Sequence, residues 1–123
     1  MASVTVVDDD LDTRVLFEKL FEVLGVSQVL TYGSVEDMQA ARERVLASSL
    51  AILDVNLGRG LATGLDAFAW LRANRYRGRI VFLTGHAKTH PLVLRAADMP
   101  GVEVLEKPVA FDQVAALWNE ASA

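Results

Sequence analysis

The sequence predicts a doubly wound α/β domain: a five-stranded parallel sheet of order 2-1-3-4-5 with helices on both faces. Three observations predict it. Five short apolar runs of strand length recur at fairly even intervals. Segments with helical spacing lie between them. Three of the runs are apolar almost throughout, while the other two carry polar residues. Strict alternation of strand and helix requires crossover connections, hence parallel strands covered by helices. Continuous apolar runs suit strands buried on both faces, and runs broken by polar residues suit the edges.

The elements follow in chain order. VTVV at 4–7 is the first strand, and Leu11, Val15, Phe17, Leu20 and Leu24 carry the first helix to Gly25, a good C-terminal cap. QVLTY at 28–32 is an edge strand. Ser34, with Asp37 three residues on as a capping-box variant, starts a second helix that continues to about Leu46. LAIL at 50–53 is followed by a helix marked by Leu65, Phe68 and Leu71, and IVFL at 80–83 by one from Pro91 to about Ala97. VEVL at 102–105 is the other edge, and Phe111, Val114, Leu117 and Trp118 mark the last helix. Trp70 and Trp118 fall in helical patterns and are expected to pack against neighbouring helices or the sheet. No boundary, repeat or low-complexity segment interrupts the pattern, so residues 1–123 are expected to form one domain.

Composition narrows the function. An apolar share of 52% is ample for a core, yet no run approaches the roughly 18 residues of a membrane span. MASVTVVDDD lacks the basic-then-apolar order of a signal peptide, so the expectation is a soluble cytoplasmic protein without membrane insertion. The absence of cysteine removes disulfide, thiolate and Cys-metal chemistry, and two histidines are too few for a histidine metal cluster. A net charge of −4 with scattered basic residues argues against direct nucleic-acid binding.

In a sheet of this order, ligands bind beyond the carboxyl ends of the strands, at the switch point between strands 1 and 3. Asp8 and Asp9 follow the first strand and Asp54 follows LAIL, so three carboxylates should meet there. Two carboxylates about 5 Å apart repel by roughly 3 kcal/mol at an effective dielectric near 20. A hard divalent cation held by carboxylates and water, Mg²⁺ by default, is the best candidate to offset this. Thr84 follows IVFL and Lys107 follows VEVL, adding a hydroxyl and an ammonium at the same edge. A metal, a carboxylate, a hydroxyl and an ammonium together suit a phosphoryl group: the carboxylate attacks phosphorus and the others neutralise its equatorial oxygens.

VVDDD, LDVN, FLTGHA and EKP, in this order along five βα units, resemble the receiver domain of two-component response regulators, in its single-domain, chemotaxis-type form with a flavodoxin-like (βα)5 fold. The resemblance covers essentially the whole chain. It implies that Asp54 accepts a phosphoryl group from a histidine kinase or histidine phosphotransfer protein, and that the protein switches the binding of an unidentified downstream partner. It also implies that Asp9 and Asp54 bind Mg²⁺ directly, with the main-chain carbonyl of Asn56 as a third ligand and Asp8 acting through water; Mn²⁺ can substitute. Thr84 would hydrogen-bond the phosphoryl group and Lys107 pair with it, the Lys107-Pro108 bond being cis in typical members. Such a module is not an enzyme beyond its own phosphorylation and dephosphorylation. Asp10 has no role in the family and reads as a helix cap or as a solvated first-turn carboxylate favoured by the helix dipole. His86 stands two residues after Thr84, where receivers vary in ways that tune the lifetime of the phosphoryl group.

Three departures stand beside the resemblance. Val104 replaces the usual aromatic three positions before the lysine. Gly58 replaces a proline, and the stretch 56–64 is about two residues longer than the common form, with Thr63 where an Asp usually precedes Gly64. Gly58, Gly60 and Gly64 read as a flexible connection, since no Gly-Lys-Ser/Thr ending marks a phosphate-binding loop. Alternatives are an aspartyl-phosphate phosphohydrolase, which would place an Asp where Asn56 stands, and a flavodoxin-like cofactor binder, whose first loop the aspartates disfavour. A receiver-like binding module that is not phosphorylated is a further alternative.

Overall fold

The computed structural model describes residues 2–55, 57, 63–85, 91–98 and 101–122, with main chain only at 91–93. Five strands, β1 Ser3–Val7, β2 Gln28–Tyr32, β3 Leu50–Asp54, β4 Arg79–Thr84 and β5 Glu103–Glu106, form one sheet of order β2-β1-β3-β4-β5. Every neighbouring pair is parallel. β1 and β3 are buried along their whole length, whereas β2 and β5 are exposed at intervals, as the polar residues in QVLTY and VEVL required.

Side chains alternate across the sheet and feed two cores. Val4 and Val6 of β1 join Ile52, Val81 and Leu83 on the face covered by α1 (Leu11–Val23) and α6 (Phe111–Ala121), which contribute Phe17, Phe21, Val114, Leu117 and Trp118. The Trp118 ring meets Phe21 edge-on, with ring centroids 6.1 Å apart. Each such fully buried side chain contributes about 1.5–3 kcal/mol relative to exposure. On the other face Val7, Leu53 and Phe82 pack with Met38, Val45, Leu65, Phe68 and Leu71, from α2 (Val35–Ala40), α3 (Arg42–Leu46) and α4 (Gly64–Ala73). Trp70 packs against this second core. α5 (Pro91–Ala97) joins β4 to β5 and adds Ala96.

Two caps match the sequence. Gly25 has φ +79° and closes α1 with Gly25 N–H to Glu22 O and Val26 N–H to Phe21 O, the pairing of a Schellman motif. Ser34 accepts from the Asp37 N–H at 3.1 Å. The helix expected to run unbroken from there to Leu46 is instead two. At Ala41 (φ −100°, ψ 34°) the N–H turns back to Met38 O, three residues behind, and α3 starts at the next residue. The Arg42 guanidinium, bonded to Asn74 Oδ1 at 3.0 and 3.3 Å, ties the start of α3 to the end of α4.

The N-terminal edge of the sheet is locked by a buried polar cluster. Thr5 Oγ1 donates to Ser48 Oγ at 2.9 Å, Ser48 Oγ donates to Val45 O at 2.6 Å, and the Tyr76 hydroxyl lies 3.2 Å from Ser48 Oγ. The opposite, C-terminal edge holds the charged residues.

Candidate functional site

At that edge the ladder hydrogen bonds continue past the strands and fix the site residues one by one. Asp8 N–H donates to Tyr32 O at 3.0 Å, Val55 N–H to Leu83 O at 2.8 Å, and Lys107 N–H to Thr84 O at 2.8 Å. Asp8, the last residue of β3 (Asp54) and the last residue of β4 (Thr84) are therefore buried on rigid backbone, while Asp9 is exposed. Asp54 pairs in register with Leu83, so Thr84 stands one residue beyond it on the adjacent strand.

Asp8 is held at almost every polar atom. Its Oδ1 accepts from Asp10 N–H at 2.9 Å, and its carbonyl accepts from Arg14 Nη1 at 2.7 Å. The remaining oxygen, Oδ2, is buried without a hydrogen bond and lies 2.8 Å from Lys107 Nζ as an ion pair. The same ammonium is 3.3 Å from Asp54 Oδ2. Burial pushes the Lys107 ammonium toward losing its proton, but the pull of Asp8 and Asp54 outweighs this and holds its pKa above the usual lysine value. The Lys107-Pro108 bond is cis.

Asp8, Asp9 and Asp54 each present an oxygen within 4.8 Å of the others. An octahedral Mg²⁺ with ligands at about 2.1 Å spans about 4.2 Å between opposite ligands, so direct contacts from some carboxylates and a water-bridged contact from another would fit this spread. The buried Asp8 Oδ2 and the all-oxygen donor set agree with a hard cation. The structure thus gathers Asp8, Asp9, Asp54 and Lys107, and sets Thr84 at the same edge; Asn56, His86, Gly58 and Gly60 lie outside the described residues.

Four nearby residues refine or extend the sequence reading. Asp10 is the N-cap of α1, the cap reading of the two the sequence offered: it accepts from Asp12 N–H at 3.3 Å and from the Thr13 hydroxyl at 2.7 Å. Those bonds, the Thr13 hydroxyl foremost, lower its pKa. Gly64 is no flexible linker. It is the first residue of α4, it donates to Val55 O at 3.1 Å, and a Cβ there would collide with the Asp54 carbonyl. Thr63 takes over the capping role, accepting from Leu65 N–H at 3.2 Å while Asp66 accepts from Thr63 N–H at 2.7 Å. Arg14 also went unassigned, although a lone guanidinium soon after three aspartates was a signal that it serves them.

The family model of the response regulator receiver domain matches residues 4–119. No curated protein matches the chain. Among solved structures, the receiver domain of NtrX from Brucella abortus is similar with TM-score 0.82 and 23% identity, covering 96% of each chain. The chemotaxis protein CheY4 of Vibrio cholerae is similar with TM-score 0.79 and 22% identity over 98% of each chain. A response regulator receiver domain protein from Clostridium thermocellum gives TM-score 0.79 and 22% identity, over 98% of this chain and 94% of that one.

Proposed function

The chain belongs to the response regulator receiver domain family, and from that premise we propose that Asp54 is its phosphoacceptor, charged by a phosphohistidine on a kinase or phosphotransfer protein. The observation that carries this reading is the placement of Asp54: buried at the end of β3, 3.3 Å from the Lys107 ammonium and clustered with Asp8 and Asp9. In the transfer, an Asp54 carboxylate oxygen forms a bond to phosphorus as the bond from phosphorus to the donor imidazole breaks, and the freed imidazole nitrogen regains a proton from water. Lys107 draws one equatorial oxygen and Thr84 donates its hydroxyl to another, so both aim the group in line with Asp54.

Asp8, Asp9 and Asp54 would hold Mg²⁺ or Mn²⁺, joined by the Asn56 carbonyl on the strength of the family resemblance. Bound there, the ion supplies positive charge against the carboxylates and the transferring oxygens. Attack of water on the acyl phosphate returns Asp54 to its carboxylate, so the protein acts as a switch rather than a turnover enzyme. The donor must approach beside Lys107, where Leu16, Leu20, Pro108 and Val109 line an apolar groove next to α1. Leu11 and Leu16 on that helix are 61% and 49% exposed. A helical donor would cover this surface while presenting its histidine to Asp54, after which the phosphorylated protein engages its downstream partner, in a cytoplasmic setting and without contacting nucleic acid or membrane.

Intact-mass measurement after incubation with acetyl phosphate and Mg²⁺ tests the assignment. The wild type is expected to gain one phosphoryl group and Asp54→Asn none. A stable phosphoryl adduct on Asp54→Asn overturns it.

A further inference from the structure

Arg14 lies in the second turn of α1, half-buried, and its Nη1 donates to the main-chain carbonyl of Asp8 at 2.7 Å. That carbonyl belongs to the peptide joining Asp8 to Asp9. The orientation of this peptide sets the directions in which both carboxylates leave the backbone. The preceding amide, Asp8 N–H, is fixed by Tyr32 O, and the next residue along that loop is Gly33. A Cβ at Gly33 would stand 3.0 Å from Arg14 Nη1, 3.5 Å from Cζ and 3.8 Å from Nη2. The guanidinium therefore fills the notch that the missing side chain leaves. It is braced by the β2–α2 loop on one side and pulls on the acidic loop from the other. A charge-assisted bond of this length is about twice as strong as a neutral one. The fork of the guanidinium keeps a fixed shape that an ammonium lacks.

We propose that Arg14 is a positioning residue for divalent-cation binding, holding the Asp8–Asp9 peptide in place through the notch at Gly33. This rests on the reading of Asp8, Asp9 and Asp54 as the cation site. Groups that orient metal ligands without touching the metal typically cost about 10- to 100-fold in affinity when removed. Gly33 supplies an independent handle: its φ is not in the left-handed region, so alanine is tolerated by the backbone and acts only by displacing the guanidinium.

Isothermal titration of the full chain with MgCl₂, alongside thermal melting in EDTA to establish folding, tests the proposal. Arg14→Met is expected to weaken Mg²⁺ binding by about tenfold, with Arg14→Lys recovering part of the loss. Gly33→Ala is expected to weaken binding several-fold alone and to add nothing in the Arg14→Met background. Equal affinity of wild type and Arg14→Met overturns the proposal, as does a Gly33→Ala effect that persists in full without the guanidinium. No Mg²⁺ binding by the folded wild type overturns the cation-site reading, and this inference with it.

Discussion

Gly64 rests against the main chain of Asp54 so closely that a Cβ at this position would lie 2.9 Å from the Asp54 carbonyl carbon and 3.0 Å from Val55 Cα. The glycine is required by this approach and not by its backbone angles, since the described glycines with positive φ are Gly25 and Gly101. Gly64→Ala should therefore force α4 and the end of β3 apart, destabilising the fold by about 1–3 kcal/mol, as overpacking usually does. It should also slow labelling of Asp54 by acetyl phosphate. Urea denaturation and an intact-mass time course measure the two effects, and an unchanged unfolding midpoint would show that the contact relaxes freely.

The carboxylates are unequally compensated in the metal-free protein. Lys107 lies against Asp8 and Asp54, and Asp10 N–H bonds Asp8, which leaves Asp9 the exposed and least neutralised member. Removing its charge relieves repulsion without breaking an ion pair among the described residues. Asp9→Asn is expected to melt a few degrees higher than wild type in EDTA and to lose the stabilisation that Mg²⁺ gives the wild type. Equal or lower melting of the variant in EDTA would contradict a repulsive cluster.

Burial pushes the Tyr76 phenol up to about 12 from its ordinary 10.0, with the Ser48 hydrogen bond only partly opposing this. A raised acid favours the folded state while the phenol stays protonated there. The contribution is thus complete below about pH 10 and disappears as pH climbs through about 12, amounting to roughly 2–3 kcal/mol. Tyr76→Phe should flatten the fall in stability between those two pH values. Denaturant melts across the alkaline range check this, and parallel curves for wild type and variant would count against it.

The state of the switch should be registered at β4 more than at β5. Thr84 ends β4, buried, and its carbonyl accepts from Lys107 N–H, so a pull on the Thr84 hydroxyl is transmitted to both strands' ends. Val104 pairs with Phe82, packs against the core and has a short, stiff side chain that cannot swing. Beryllofluoride, standing in for the phosphoryl group, is expected to shift the amide signals of Thr84 and Gly85 more than those of Glu103, Val104 and Leu105. Thr84→Ala should suppress the Gly85 shift while leaving Mg²⁺ binding intact. Larger changes at Val104 would reverse this assignment.

The strand order was legible because polarity in a doubly wound sheet reports how many faces of each strand are covered, and QVLTY and VEVL stood apart from VTVV, LAIL and IVFL on that measure. The convergence of Asp8, Asp9, Asp54 and Lys107 followed from the same order, since each ends a strand or follows one within two residues. What stayed hidden depends on tertiary approach. Nothing local at Ala41 marks a helix break, because neither Gly nor Pro stands there and the bond that ties the start of α3 to the end of α4 runs from Arg42 to Asn74. Gly64 looked like one of several loop glycines, since a sequence does not show which glycine another backbone will touch. For Asp10 the residues offered both a helix cap and a first-turn carboxylate, a choice that rests on a single residue of register, and the structure makes it the cap.

Lys107 pairs with two of the three clustered carboxylates, so among these four described side chains three negative charges face one positive, a surplus of two. Under the proposed function, a divalent cation cancels that surplus, and converting the Asp54 carboxylate to an acyl phosphate creates charge anew in the same confined space. Cation and phosphoryl group are then heterotropic effectors of one another. By thermodynamic reciprocity, whatever factor phosphorylation adds to cation affinity, the cation must add to the equilibrium extent of phosphorylation. On that proposal the free divalent concentration around the protein would be a second signal, multiplied into the first at the site where both are received.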